Sequence, residues 1–264
     1  MGKLTDYMEN ELLDHVLKVG AWSRPANLYL ALCTADPGEG ATGANITEPS
    51  GGGYARVACD DWDVANARAT ANSKLIDFGT SSGDWGVITH FAIVDSDSGA
   101  GNVIAYGEVS PNKEVSNGES CSVAIGDLDV SFNSGGMSNY FANEILDHVF
   151  PNAEYSQPTS IFVALTTAAV VDADNGSSIS EPGENYARKE VNDWDASVNG
   201  ISDNTTLCDF VQATGNWGTL SNFALCTHPT TGDVLFFGSL TTLVYIGEND
   251  TARIPAGNMD ITLD

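Results

Sequence analysis

Basic residues are scarce in this sequence. Over 264 residues, 10 Lys and Arg stand against 36 Asp and Glu, a formal net charge of −26. A surface this negative repels phosphate backbones and anionic lipid headgroups, so neither nucleic acid nor a membrane is expected as a partner. No apolar run approaches the roughly 20 residues that span a bilayer. The opening stretch, Met1 to Lys18, is amphipathic and carries Asp6, Glu9, Glu11 and Asp14. It lacks the apolar segment of a secretory signal, so synthesis in a cytoplasm is expected. The five cysteines have no recurrent spacing and form no CxxC pair, which leaves no disulfide framework and no zinc pattern. Also missing are an HExxH helix, a GxSxG elbow, a P-loop and a GxGxxG turn between strand and helix. No catalytic residue and no cofactor is expected.

The acidity itself has a physical consequence. At low ionic strength the like charges repel one another and oppose compaction, whereas near molar salt the Debye length falls to about 3 Å. A saline, halophilic source is the expectation this raises. A soluble acidic surface from an ordinary host is the plainer alternative.

The strongest positive signal is an internal repeat. The run from Asn10 to Val16 (NELLDHV) returns as NEILDHV from Asn143 to Val149, 133 positions later. Leu28-Tyr29-Leu30-Ala31-Leu32 returns as Ile161-Phe162-Val163-Ala164-Leu165, and Glu48-Pro49 as Glu181-Pro182. Tyr54-Ala55-Arg56 matches Tyr186-Ala187-Arg188, and Asp61-Trp62-Asp63 matches Asp193-Trp194-Asp195. Gly83-Asp84-Trp85-Gly86 matches Gly215-Asn216-Trp217-Gly218, and Phe91-Ala92 matches Phe223-Ala224. A period of this length is a whole domain rather than a solenoid unit. Two tandem domains are therefore expected, at residues 1–133 and 137–264, joined by a short polar linker at 134–136. Each is expected to hold its own core.

Each copy opens with a helical pattern. Leu4, Met8, Leu12 and Val16 recur at i, i+4 with Leu13 and Leu17 beside them, and Phe141, Ile145 and Val149 repeat the stripe. Thr5 and Ser138 stand where N-caps belong, and Pro151 ends the second helix. The rest reads as short strands, expected in the first copy at 27–32, 54–58, 75–78, 87–94, 103–108, 120–125 and 128–132. Turn clusters such as Asp36-Pro37-Gly38 and Ser50-Gly51-Gly52-Gly53 lie between them. The expected fold is mainly β: two tandem β-sandwich, jelly-roll-like domains, each preceded by an N-terminal α-helix. Tyr29, Trp62, Phe78, Trp85 and Phe91 are candidates for the apolar interior.

Several residue sets invite chemistry, and each has a plainer reading. Asp14-His15 and Asp147-His148 offer an acid beside an imidazole, but neighbours on a helix do not face each other. A cap or packing role is favoured, since His near a helix C-terminus suits the macrodipole. Asp61, Asp63, Asp193 and Asp195 are the calcium candidates, because alternating carboxylates offer hard oxygen ligands. The alternative is a solvated face with the intervening Trp turned inward. Arg56 and Arg188, rare bases a few residues beyond Glu48 and Glu181, are expected to form carboxylate bridges that pin a loop. Cys33, Cys59, Cys121, Cys208 and Cys226 stand opposite mostly small apolar residues of the other copy and read as buried hydrophobes. Paired acids for glycoside hydrolysis depend on a carboxyl separation that sequence does not supply.

The order of these motifs resembles a family of tailed-phage virion proteins. The resemblance is carried by the helix at Tyr7 to Val16, the strand at Leu28 to Leu32, and the segments Glu48 to Arg56 and Gly83 to Ile93. A closing stretch, Pro255 to Leu263, completes it, and the likeness covers nearly the whole chain twice. Members are usually labelled tail-fibre or head-decoration proteins, typically as single copies and less acidic. The resemblance implies a non-enzymatic virion structural protein. Its partners would be the major capsid protein or other virion proteins, with homo-oligomers or repeated copies on the particle. Decoration or cementing of the capsid is the first expectation, through an interface of roughly 1,200–2,000 Å². A tail or fibre component that binds the host surface is the alternative, and a carbohydrate-active enzyme comes last.

Overall fold

The chain enters its first helix through a side-chain cap. In the computed structural model, which describes residues 2–263, Met8 N donates to Thr5 Oγ1 at 3.4 Å and Phe141 N to Ser138 Oγ at 3.1 Å. Each hydroxyl thus satisfies an amide that the first helical turn leaves unpaired. The helices are α1 (Asp6–Val16) and α2 (Asn139–Val149). The chain leaves α2 at Phe150, one residue before Pro151, whose ring cannot continue a helix. Leu4, at the start of the helical stripe, instead ends a strand, β1 (Gly2–Leu4).

The remainder is β. The first copy supplies β2 (Tyr29–Cys33), β3 (Val57–Ala58), β4 (Ala69–Ala71) and β5 (Ile76–Thr80). It continues with β6 (Gly86–Val94), β7 (Val103–Val115), β8 (Ser120–Val123) and β9 (Asp129–Ser131). The second supplies β10 (Phe162–Thr166), β11 (Lys189–Glu190), β12 (Ile201–Asp203) and β13 (Cys208–Asp209). It ends with β14 (Gly218–Cys226), β15 (Val234–Ile246), β16 (Arg253–Ile254) and β17 (Asp260–Thr262). The expected strands are present, and β1 and β4 lie outside them. β7 also outruns its expected end at 108. Its register against β6 jumps from His90↔Glu108 to Ile88↔Lys113, so residues 109–112 form a wide bulge that admits Pro111 into the strand.

The two copies close their sheets differently. In the first, the order β3-β2-β6-β7-β1-β9-β4 makes one curled seven-stranded sheet, with β5-β8 beside it. In the second, β11-β10-β14-β15 ends at β15, and β12-β17 and β13-β16 are separate pairs. The fold is thus mainly β, built twice, with an N-terminal helix in each copy. Trp62, Trp85 and Phe91 are buried, and Tyr29 and Phe78 half-buried.

The core departs from the expectation of one per copy. Smaller apolar clusters stay within a copy, such as Ala31, Cys33, Ala92, Val94 and Val103. The largest runs through both, from Met8, Leu12 and Trp62 to Phe141, Ile145 and Phe150. The reason lies in the helices: α1 packs on β7 and β12, and α2 on β15 and β4. Each helix is shared between its own copy and the other.

Candidate functional site

The residues that recur in both copies fall into two structural groups, and the first joins the copies. Asn10 Oδ1 accepts from Gly200 N at 2.9 Å, and its counterpart Asn143 Oδ1 accepts from Arg68 N at 2.9 Å. Asp14 Oδ1 accepts from Ser197 N and Asp147 Oδ1 from Ala65 N, both at 2.7 Å. Each helix thereby caps a tight turn of the opposite copy. The contacts are reciprocal, as in an isologous interface around a two-fold axis. The turns need this support. Ala67 and Arg68 have φ of +51° and +67°, where an L-residue is strained, and Asn199 and Gly200 take the same shape. Arg68 also donates through Nη1 to Met137 O at 2.7 Å and through Nη2 to Asn133 O, which fastens the chain on either side of the linker. Residues 134–136 are held as well: Gly135 N donates to Asp172 Oδ1 at 3.0 Å.

His15 and His148 meet at the centre of this interface, their rings stacked at 5.1 Å and 21°. Nδ1 of each accepts a backbone N–H at 3.1 Å, from Trp22 and Tyr155 respectively. That assigns the proton to Nε2, and His15 Nε2 donates to Tyr155 O across the interface at 3.0 Å. Burial, and then the neighbouring His15, pulls the His148 imidazole down to about 4. The His148 ring is therefore a packing group in the neutral form. The carboxylate of the Asp-His pair serves a different partner, the opposite copy's turn. Trp62 and Phe150 add a ring contact between copies at 4.3 Å.

The second group pins loops. Arg56 donates to both oxygens of Glu48, with Nη2–Oε2 at 2.7 Å, and to the carbonyls of Gly43 and Ser96. Arg188 repeats this with Glu181 Oε2 at 2.8 Å and with the carbonyls of Gly176, His228 and Thr231. The preceding tyrosines extend the network: Leu32 N donates to Tyr54 Oη at 2.9 Å and Leu165 N to Tyr186 Oη at 2.7 Å. The expected loop-pinning bridges are present, each with extra carbonyl acceptors.

The remaining candidates sit apart. Asp61 is exposed and pairs with Lys74 Nζ at 2.7 Å, and Asp63 is exposed on the far side of Trp62. Asp193 is exposed, and Asp195 Oδ1 accepts from Asp203 N at 2.6 Å. The intervening Trp62 and Trp194 turn inward and donate to Cys59 O and Val191 O. Among the described residues, no group of three or more His, Cys, Asp or Glu side chains is placed to hold a metal ion. All five cysteines are free and buried, and burial raises the thiols of Cys33, Cys208 and Cys226 to about 12. Thiols this basic are poor nucleophiles. None of the helices among the described residues is long and apolar enough to cross a membrane. A concavity of about 510 Å³ lies in the second copy between β15, β16 and β17, lined by Leu220, Phe223, Leu240, Val244, Ile254 and Met259.

These features define a class: a β domain built twice and fused as a pseudo-symmetric pair, whose recurrent residues hold loops and copies in place. The chain matches the family model described as podophage GP4 fiber I protein gp80, over residues 3–131 and again over 136–262. It belongs to that family and is a structural protein of a tailed-phage virion. A search of curated proteins returned no match.

Proposed function

We propose that the protein is a non-enzymatic part of the fibre apparatus, a rigid two-domain unit that seats on other virion proteins and presents an acidic face to solvent. The observation that carries this reading is the double match to a fibre-protein family, together with recurrent side chains spent on loops and the inter-copy seam. Fusion halves the number of subunits to be recruited, and the shared core fixes the angle between two binding faces. Capsid decoration, the first expectation, is retained as the second reading because the chain shows no shaft-like repeat. A compact pair suits two neighbouring positions on a shell.

Gold-labelled antibody on intact particles tests the reading directly, with label at the tail expected. Particles depleted of the protein should keep shell stability and lose adsorption. Loss of shell stability with adsorption intact would favour decoration. Hydrolysis of any member of a glycan panel by the purified protein would restore the enzyme alternative.

A further inference from the structure

Each helix buries more than the one face that its own sheet covers. In α1 the buried residues are Met8, Glu9, Leu12, Leu13, His15 and Val16, and in α2 the same six positions are buried, from Phe141 to Val149. One stripe of an amphipathic helix serves one layer. The second lies against the other copy, with α1 on β12 and α2 on β4. This face is therefore complete within a single copy, and a copy standing alone would expose it. His15 and His148 occupy equivalent positions and stack on each other, as residues do where a two-fold axis passes. The rings on either side repeat the relation: Trp22 lies 5.3 Å from His148, and its counterpart Tyr155 lies 6.4 Å from His15.

The covalent link takes little part in this contact. Asn133 to Gly136 are exposed, and the bonds from Asn10, Asp14, Asn143 and Asp147 to the opposite turns lie outside it. The seam is also selective. Lys18 Nζ donates to Thr159 O at 2.6 Å and to Asn192 Oδ1 at 3.2 Å. Arg24 Nε lies 4.0 Å from Glu154 Oε1, and Arg68 Nη1 lies 3.9 Å from Asp172 Oδ2. All three bases belong to the first copy and all their partners to the second. The equivalent positions of the second copy hold Pro151, Gln157 and Gly200. A pair of two second copies would have none of these bases to set against its acids, in a chain of net −26.

We propose that the seam is a pairing surface that works between separate chains: the α2 face of the second copy accepts a first copy, whichever chain supplies it. The family model matches each copy almost end to end, so one copy is the recurring unit and the pair is its closed form. Within one chain the linker raises the effective concentration of the partner and closes the pair on itself. The linker decides which first copy is met, and the face decides that it is a first copy. The inference does not rest on the fibre reading.

The test uses the full-length protein with a specific protease site inserted between Gly135 and Gly136. After cleavage the halves should travel as one particle of unchanged hydrodynamic radius at micromolar concentration, with a Tm that now depends on concentration. Cleaved protein with an affinity tag on its first half is then incubated with untagged, isotopically heavy cleaved protein. The tag should capture heavy second halves and few heavy first halves. Asp14→Ala combined with Asp147→Ala should raise the concentration at which the cut halves separate by roughly tenfold or more, with the uncut variant still one folded species. Halves that separate at micromolar concentration or precipitate once cut, a Tm independent of concentration, or no capture of heavy halves overturns the proposal. An unchanged separation point in the double variant does the same. Equal capture of heavy first halves overturns the choice of partner.

Discussion

Truncating a single ring in the second copy should destabilise the first. Phe150 is fully buried and its ring packs at a tilt against Trp62 of the other copy within the apolar cluster that spans both. Replacing it with Ala removes the ring from a site that cannot collapse, because α2 is held on both sides by β15 and β4. Phe-to-Ala changes in cores cost about 3–5 kcal/mol. If the shared core makes the chain one cooperative unit, each kcal/mol lowers Tm by about 2–4 °C, so Phe150→Ala should melt roughly 6–20 °C lower. Calorimetry should show one transition in wild type and variant. Hydrogen exchange should quicken at residues 57–71, in the copy that was not mutated. The reasoning is refuted by two separable transitions of which only the second copy's moves, with exchange at 57–71 unchanged. That outcome would mean the helices pack across the seam without coupling the halves.

Arg188→Met should lower the urea midpoint by the equivalent of about 3–5 kcal/mol, since Glu181 and three carbonyls lose a guanidinium whose side chain is 1% exposed. Arg188→Lys should fall between the two, and an unchanged midpoint for the Met variant would remove the loop-pinning role. His148 titrates near 6.5 when unfolded and near about 4 when folded, so its contribution is whole above pH 6.5 and is lost as pH falls toward 4. Glu11 and Glu144, raised chiefly by burial, act in the opposite sense, so the informative measurement is a difference. Tm against pH should be flatter in His148→Asn, whose amide oxygen still accepts from Tyr155 N, and parallel curves would disprove the assignment. With net charge −26, Tm should rise from low to molar NaCl, and a flat curve removes the halophilic expectation. EDTA should leave Tm unchanged, since Asp61 is paired with Lys74 and Asp195 holds a backbone amide; a fall would reinstate calcium at the Asp-Trp-Asp segments.

Much of the local structure was legible because its signals are local. Thr5 and Ser138 read as caps, the helical stripes as helices, and Arg56 with Glu48 as a loop clamp, since partners within about ten residues leave a pattern. Asn199-Gly200 carries the hairpin signal that marks its turn. Ala67-Arg68 carries none, because its positive φ is maintained from outside by Asn143. The roles of Asn10 and Asp14 were equally hidden, as their partners lie more than 180 residues away.

By itself the sequence determined that one β domain is made twice, that its surface is strongly acidic, and which loops its few arginines hold. These follow from composition, short-range spacing and self-similarity. Tertiary structure alone decided that the halves share a core and that two histidines stack at their seam. A repeat says that two domains are alike. How they pack depends on which faces the helices leave apolar, and here each helix is shared between its own copy and the other.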